Sequence, residues 1–425
     1  MTGLEASGRS SVPLVAGRSY GNARFRGDPA AFWRLMVRGA LLLMLTLGIY
    51  RFWLATDVRR FLWSNSEIAG HSLDYTGTPT ELLIGFLIAI TILVPINALL
   101  FLILFLETLA QYATMIGFLF LAFLGQVAVY RARRYRLTRT VLRGIRFHQT
   151  GSSWRYAVCA SFWWILAIAS FGLLYPFAVA SLERFKLRNT YYGNLPGRFV
   201  GTGARLFLRG LLIWLLVMGP FLFGLIVALA TIDPDALVNA IEGGGDALRR
   251  FGDPAVYVGM AAVAFGLGWT AFAAFLLYPV FQAMVLRWWA SGLRFGEVTV
   301  TSNLRTGRVY GVYLRFLLYG VLFGLVSAIA ITASVTLWVG IARGGALPTL
   351  AAEIGGAALA VLGYLAVVLG YWAIYQATVK LSLWRLVMDS LDLSGVAALD
   401  RVTAAGQPSS AVGEGLADAL NVGGL

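Results

Sequence analysis

Long apolar runs separated by clusters of arginine set the pattern of this chain. The runs at about 82–104, 108–130, 206–231, 255–281, 312–342 and 356–379 can each cross a bilayer, which takes about 20 helical residues at 1.5 Å rise. Two further apolar stretches break this rule in different ways. Between Arg38 and Arg51 lie only twelve residues, a length typical of segments that dip into a membrane and return. The stretch 156–180 is long enough to cross, but both of its flanks are basic. Segment 131–155 carries eight Arg and no Asp or Glu, and segment 184–209 carries Arg or Lys at 184, 186, 188, 198, 205 and 209.

The two exceptional stretches share one spacing. Gly48 precedes Arg60 by twelve residues and Phe61 precedes Asn65 by four; Gly172 and Arg184, and Phe185 and Asn189, repeat these counts. Both stretches therefore read as re-entrant helical hairpins, 32–65 and 156–180, turning at Gly48 and Gly172, the second with a sharper break at Pro176. A short tilted span with snorkelling Arg is the alternative for the first. Pro95 and Pro220 fall at nearly matching places in two spans and predict kinks there. The pairs Arg24-Phe25, Arg146-Phe147 and Arg294-Phe295 open three segments.

These features predict an all-α integral membrane protein: six transmembrane helices plus two re-entrant or interfacial hairpins, built from three parallel internal repeats. Unit 24–130 and unit 146–281 each hold a hairpin and two spans, and unit 294–380 holds two spans alone. Tails 1–22 and 395–425 are rich in small and polar residues and read as disordered. No apolar signal-peptide core is apparent in the first 22 residues.

Composition agrees with a life in lipid. Hydrophobic residues make up 59% and charged residues 13%, and the mean hydropathy is +0.76; a soluble domain has about a quarter charged residues. Net charge is +14, almost all of it Arg, with Lys only at 186 and 380. Because the Arg residues sit between apolar runs, they argue for anionic headgroups and topology rather than nucleic acid. The positive-inside rule places the Arg-rich segments and both termini in the cytoplasm, and the acidic loop 232–254 outside.

Tyr is followed nine residues later by Arg at Tyr50/Arg59, Tyr130/Arg139, Tyr175/Arg184 and Tyr278/Arg287. Continuous helix would put about 13 Å between each pair, with Tyr at the headgroup level. Arg59, Arg60, Arg139, Arg184 and Arg287 are thus the candidate phosphate or headgroup contacts; an aromatic belt with a topology signal explains the same spacing. Asn97, two residues after Pro95, is the candidate polar group of a cavity or a helix-to-helix bond.

The segment Leu45-Thr46-Leu47-Gly48-Ile49-Tyr50, with Phe52-Trp53, Arg59-Arg60-Phe61, Asn65, Gly70, Tyr75 and Thr76-Gly77, resembles the YjgN-like family of bacterial inner-membrane proteins. Arg143 to Phe147, Tyr175-Pro176, Arg184-Phe185, Asn189, Gly193 and Phe199 resemble it again, so the likeness spans about 24–310. It differs at Leu54, where members tend to carry Ala or Lys, and after 340 it is one of hydropathy alone. The resemblance implies a multi-pass inner-membrane protein and no established activity.

Chemistry is sparse. His71 and His148 lack accompanying Cys or clustered carboxylates, which favours surface histidine over a metal pair. Cys159 stands alone in an apolar run, and no catalytic motif for a nucleophile or metal is present. No catalytic, cofactor or metal site is therefore expected, and the protein reads as a non-enzyme. Its expected partners are anionic membrane lipids, with a homo-oligomer or a membrane-protein partner, and no nucleic acid. Two functions fit: a transporter or lipid- and amphiphile-handling protein with an Arg-rich cytoplasmic face, or a non-transporting scaffold binding a partner protein or anionic lipid.

Overall fold

The structure, a computed structural model, describes residues 20–103, 107–231, 254–344 and 348–422. Within them one unit recurs five times: strand, helix, helix, strand. The first is β1 (Tyr20–Phe25), α1 (Pro29–Leu45), α2 (Arg51–Ser64) and β2 (Ser66–Ile68). The second is β3 (His71–Tyr75), α3 (Pro79–Ile103), α4 (Glu107–Thr138) and β4 (Thr140–Leu142). The third is β5 (Ile145–Gln149), α5 (Ser153–Ala169), α6 (Tyr175–Arg188) and β6 (Thr190–Tyr192). The fourth is β7 (Leu195–Phe199), α7 (Gly203–Thr231), α8 (Pro254–Gly292) and β8 (Leu293–Phe295). The fifth is β9 (Val298–Ser302), α9 (Thr306–Arg343), α10 (Thr349–Tyr375), a π-helical turn Gln376–Lys380, α11 (Leu381–Met388) and β10 (Leu391–Ser394).

The ten strands form one closed antiparallel barrel, in which β1 pairs with both β2 and β10. Odd strands run toward one rim and even strands away from it. All five helical pairs therefore rise from a single rim, and the opposite rim carries the tight turns. Ala69-Gly70 and Arg143-Gly144 have positive φ at both positions (51° and 81°, 51° and 76°), the two-residue turn whose twist matches paired strands.

This barrel overturns the all-α expectation, and five strand-flanked units replace the three parallel repeats. Strands of three to six residues are too short to display an alternation against helices several times longer. Ring closure makes them viable, since no strand is left with an unpaired edge. The Arg-Phe pairs are in fact strand segments: Arg24-Phe25 lies in β1, Arg146-Phe147 in β5, Arg198-Phe199 in β7 and Arg294-Phe295 in β8. In β1 and β7 the Arg is exposed and the Phe buried, as the two-residue period of a strand demands.

Ala23, Phe25, Leu73, Leu142, Tyr192, Val298, Val300 and Leu393 fill the barrel with a packed apolar core. The Tyr192 hydroxyl donates to the Leu142 carbonyl at 2.9 Å, and Phe147 stacks beside Tyr192 with centroids 4.8 Å apart. The core continues among the helices through Phe32, Met36, Leu54, Val58 and Leu381. Helix starts at the barrel rim are capped by side chains: Asp28 accepts from the Ala30 and Ala31 amides, and Ser152 from the Arg155 amide.

Six helices are long and apolar enough to cross a membrane: Pro79–Ile103, Thr114–Thr138, Gly203–Thr231, Val256–Gly292, Thr306–Arg343 and Leu350–Met388. The remaining pairs, α1/α2 and α5/α6, are short, with 17 and 14 residues each. Of the expected tail 1–22, residues 1–19 lie outside the described residues and Tyr20–Asn22 belong to β1; of the acidic loop 232–254, residues 232–253 lie outside them and Pro254 begins α8. After β10 the chain does not take up the disorder its composition suggests. A 3-10 turn (Val396–Arg401) brings Leu399 into the barrel core. The chain then passes Asn194, whose amide donates to the Thr403 carbonyl, and ends in α12 (Val412–Ala419). This last helix lies against α3 and α4, at Gly85 and Arg131, where Gly413 and Gly415 leave no room for a side chain.

Candidate functional site: a charged chamber beside the barrel core

A chamber of about 330 Å³ opens where α2, the π-helical turn and α12 meet, with Leu54 and Val58 of the barrel core in its wall. Its geometry begins with the α1–α2 turn. Leu47 and Gly48 have φ of 49° and 92°, and the Gly48 amide reaches back to the Leu43 carbonyl at 2.8 Å, closing α1 as a left-handed residue does. The Thr46 hydroxyl accepts from the Tyr50 amide at 3.0 Å, which starts α2 in the opposite direction. Arg51, Ala55 and Arg59, on one helical stripe, then face the chamber.

Arg59 is buried. It donates to the Tyr75 hydroxyl at 3.1 Å and pairs with Glu414 of α12. Burial opposes its charge, but Glu414 and Tyr75 offset this and hold the guanidinium pKa above its usual value. Arg136 of α4 approaches the same carboxylate at 3.6 Å. One acid thus bridges two cations from different units. Arg51 pairs with Asp418 at 2.9 Å on the chamber's outer side.

The far wall comes from the π-helical turn, which presents Gln376 and Lys380. Turns of this kind widen a helix by one residue and occur often at functional sites. Neither the Lys380 nor the Gln376 side chain has a hydrogen-bond or ion-pair partner among the described residues, while Glu414 and Asp418 are paired with Arg59 and Arg51. Three cations and two acids line the chamber, so an added anion meets both complementary charge and free donors.

The other predicted residues are dispersed. Arg60 donates to the Gly77 carbonyl at 3.1 Å. Arg139 is held by Glu81 at 2.8 Å, and the same carboxylate accepts from the Tyr135 hydroxyl. Arg184 is exposed on α6, and Arg287 donates to the Thr306 hydroxyl at 3.0 Å. Gly172 turns α5 into α6 with φ of 84°, and Pro176 sits in the first turn of α6, where its missing amide hydrogen costs nothing. Pro95 and Pro220 lie inside α3 and α7. Asn97 donates to the Leu93 carbonyl on its own helix at 2.9 Å, away from the chamber. His71 and His148 lie on β3 and β5, on either side of β4.

Sequence reasoning missed Glu414, Asp418, Gln376 and Lys380 as site residues. The available signals were slight: Lys380 is one of two Lys in a chain of Arg, and Glu414 stands between two Gly.

A second cavity, about 380 Å³, lies against the α5–α6 turn and is lined by Tyr175, Trp214, Met218, Tyr278 and Phe281. Trp214 Nε1 donates to the Phe171 carbonyl at 2.9 Å and fastens the turn to α7. Apart from the Trp214 ring nitrogen and the Tyr175 and Tyr278 hydroxyls, its side-chain walls are apolar.

Comparison with curated proteins and with solved structures returns no match. A family model, described as bacterial protein of unknown function (DUF898), matches residues 21–419, from β1 through the last residue of α12. That span takes in every strand of the barrel save Tyr20 and every wall of the chamber except Asn421 and Val422, and the chain belongs to this family, the YjgN-like proteins of bacteria.

Proposed function

We propose that this is a non-enzymatic protein of the bacterial inner membrane that binds an anionic amphiphile, with the anionic group in the charged chamber. The barrel and both termini face the cytoplasm, since Arg is concentrated at the barrel end of the helices. The short pairs α1/α2 and α5/α6 enter the bilayer part of the way and return. Their apolar tips support this: Leu45 and Leu47 are 79% and 88% exposed, and Ile168 is 76% exposed, a state favourable only against lipid.

The observation that carries the reading is the pair Lys380 and Gln376, free donors facing a space bounded by apolar Leu43, Leu54 and Trp372 and by the paired Arg51–Asp418 and Arg59–Glu414. An ammonium without a counter-charge of its own is costly in such a chamber unless an anion joins it. The packed barrel core argues for lateral exchange with the bilayer rather than conduction along the barrel axis.

The test is lipid retention. Protein extracted in mild detergent and weighed by native mass spectrometry carries an acidic phospholipid, and Lys380→Gln reduces its occupancy at least tenfold. Equal occupancy in the variant overturns the reading.

One observation favours a second role as a membrane scaffold: in the most apolar window of α9 only 6% is buried. A partner protein or a second copy would cover that face. Cross-linking from Val326→Cys in native membranes reports it, and a strictly monomeric adduct pattern argues against it.

A further inference from the structure

A pocket of about 470 Å³ lies outside the chamber, on the seam between α4 and α5. Arg131 and Arg134 enter it from α4, one turn apart. Ser152 and Ser153 line it at the start of α5, and Ser409 and Ser410 line it just before α12. Two helix N-termini therefore converge on it with hydroxyls and guanidinium groups, each of which favours negative charge. Arg131 Nε donates to the Ser153 hydroxyl at 3.3 Å and Arg134 to the Gly151 carbonyl, so both side chains are braced across the opening. Arg134 Nε is buried and has no hydrogen-bond partner among the described residues.

Toward the apolar part of the helices the pocket gives way to a groove of about 590 Å³ lined by Phe123, Trp154, Val158 and Phe162. Phe123 lies eight residues before Arg131, about 12 Å along α4, and stacks near Trp154 with centroids 5.8 Å apart. Trp154, Val158 and Phe162 are more than half exposed. A cationic, hydroxyl-rich pocket at the barrel end with an aromatic groove above it matches the two ends of a phospholipid.

We infer that the Arg131–Arg134 pocket is a phosphate-recognition site for an acidic phospholipid whose acyl chain lies in the Phe123–Phe162 groove. Helix N-termini bind phosphate through free amides, and Arg adds bonds of fixed geometry. This inference rests on the same orientation as the lipid-handling reading, with the barrel end at the inner leaflet, but on different residues.

The purified full chain is titrated with short-chain phosphatidic acid, phosphatidylglycerol, the matching diacylglycerol and inorganic phosphate, with binding read by native mass spectrometry. Both phospholipids bind, diacylglycerol binds at least tenfold more weakly, and Arg131→Gln/Arg134→Gln lowers phospholipid affinity at least tenfold. Ser410→Asp is the variant that keeps the fold. Its carboxylate can accept from the Val412 amide as the hydroxyl does, yet repels phosphate, and it should lower affinity to a similar extent. Unchanged binding in Ser410→Asp, or diacylglycerol binding equal to that of phosphatidic acid, overturns the site. Inorganic phosphate binding as tightly as phospholipid overturns the acyl groove and leaves a soluble-anion site. If the seam variants change nothing while Lys380→Gln still removes a lipid, this inference fails and the chamber reading stands.

Discussion

The pairs α1/α2 and α5/α6 are the same piece of backbone used twice. Asp28 and Ser152, Gly48 and Gly172, and Asn65 and Asn189 are each 124 residues apart. The local bonds match as well. Arg26 and Thr150 amides donate to the Asn65 and Asn189 carbonyls, and Asn65 and Asn189 side chains both reach the carbonyl four residues back at 2.7 Å. What differs is the lining. Arg51 and Arg59 of the first pair correspond to Tyr175 and Glu183 of the second, so one pair borders a charged chamber and the other an apolar cavity. A fixed turn with exchangeable side chains gives one scaffold two kinds of wall. The acid that completes the charged wall, Glu414, comes from the C-terminal helix and has no counterpart beside α6 among the described residues.

The largest effect should come from forcing the first pair to carry the second pair's residue. Arg59→Glu leaves two carboxylates facing each other in a buried site, and breaking a buried pair costs about 3–5 kcal/mol. Chemical denaturation in detergent measures this. The reciprocal Glu183→Arg removes the carboxylate that pairs with Lys186 and accepts from Trp289, and sets a third cation beside buried Arg133 and Lys186, so it should cost a similar amount. The two differ in where the damage falls: Arg59→Glu should loosen the segment after 402 to protease, and Glu183→Arg should not.

Next is Gly415→Leu, which pushes α12 off Gly85. Overpacking of this kind costs about 1–3 kcal/mol and should expose the segment after 402 to protease. The chamber opens in this variant, while the cavity beside Trp214 keeps its shape.

Gly48→Ala and Gly172→Ala should each cost about 1 kcal/mol, since both positions have positive φ and an open surrounding. Equal shifts in melting temperature would verify that the two turns are one device.

The smallest effect is on pH. His148 stacks on Tyr191 with centroids 5.1 Å apart, beneath Gly406 of the C-terminal segment, and burial lowers its pKa from 6.5. The folded state therefore resists protonation, and its stability contribution is present at neutral pH and lost as pH falls from 6.5 toward the lowered value. Protease access near residue 406 should rise below pH 6, and His148→Phe should flatten that dependence.

The helical half of this fold was legible because apolar length reports directly on bilayer thickness. The two Gly turns were legible from a repeated spacing. The barrel was not: β2, β4, β6 and β8 have three residues each, and one strand pair alone would be marginal in water. Their stability belongs to the closed ring, a property of five distant segments together. The Arg-Phe pairs were visible as repeats, and the alternation of exposed Arg with buried Phe in β1 and β7 is the trace the barrel leaves in the sequence. The chamber was hidden for a related reason. Arg59 and Glu414 are separated by 355 positions, and a Gly- and Ala-rich tail gives little sign that its one buried acid will be seated between two Arg.

An experimental map of the protein in lipid nanodiscs containing phosphatidylglycerol tests the central claim most directly. The account predicts β1 paired with β10 in a closed ring, α12 seated with Glu414 between Arg59 and Arg136, and headgroup density beside Lys380 and Gln376. An open ring, or Glu414 in solvent with no density in the chamber, would contradict it.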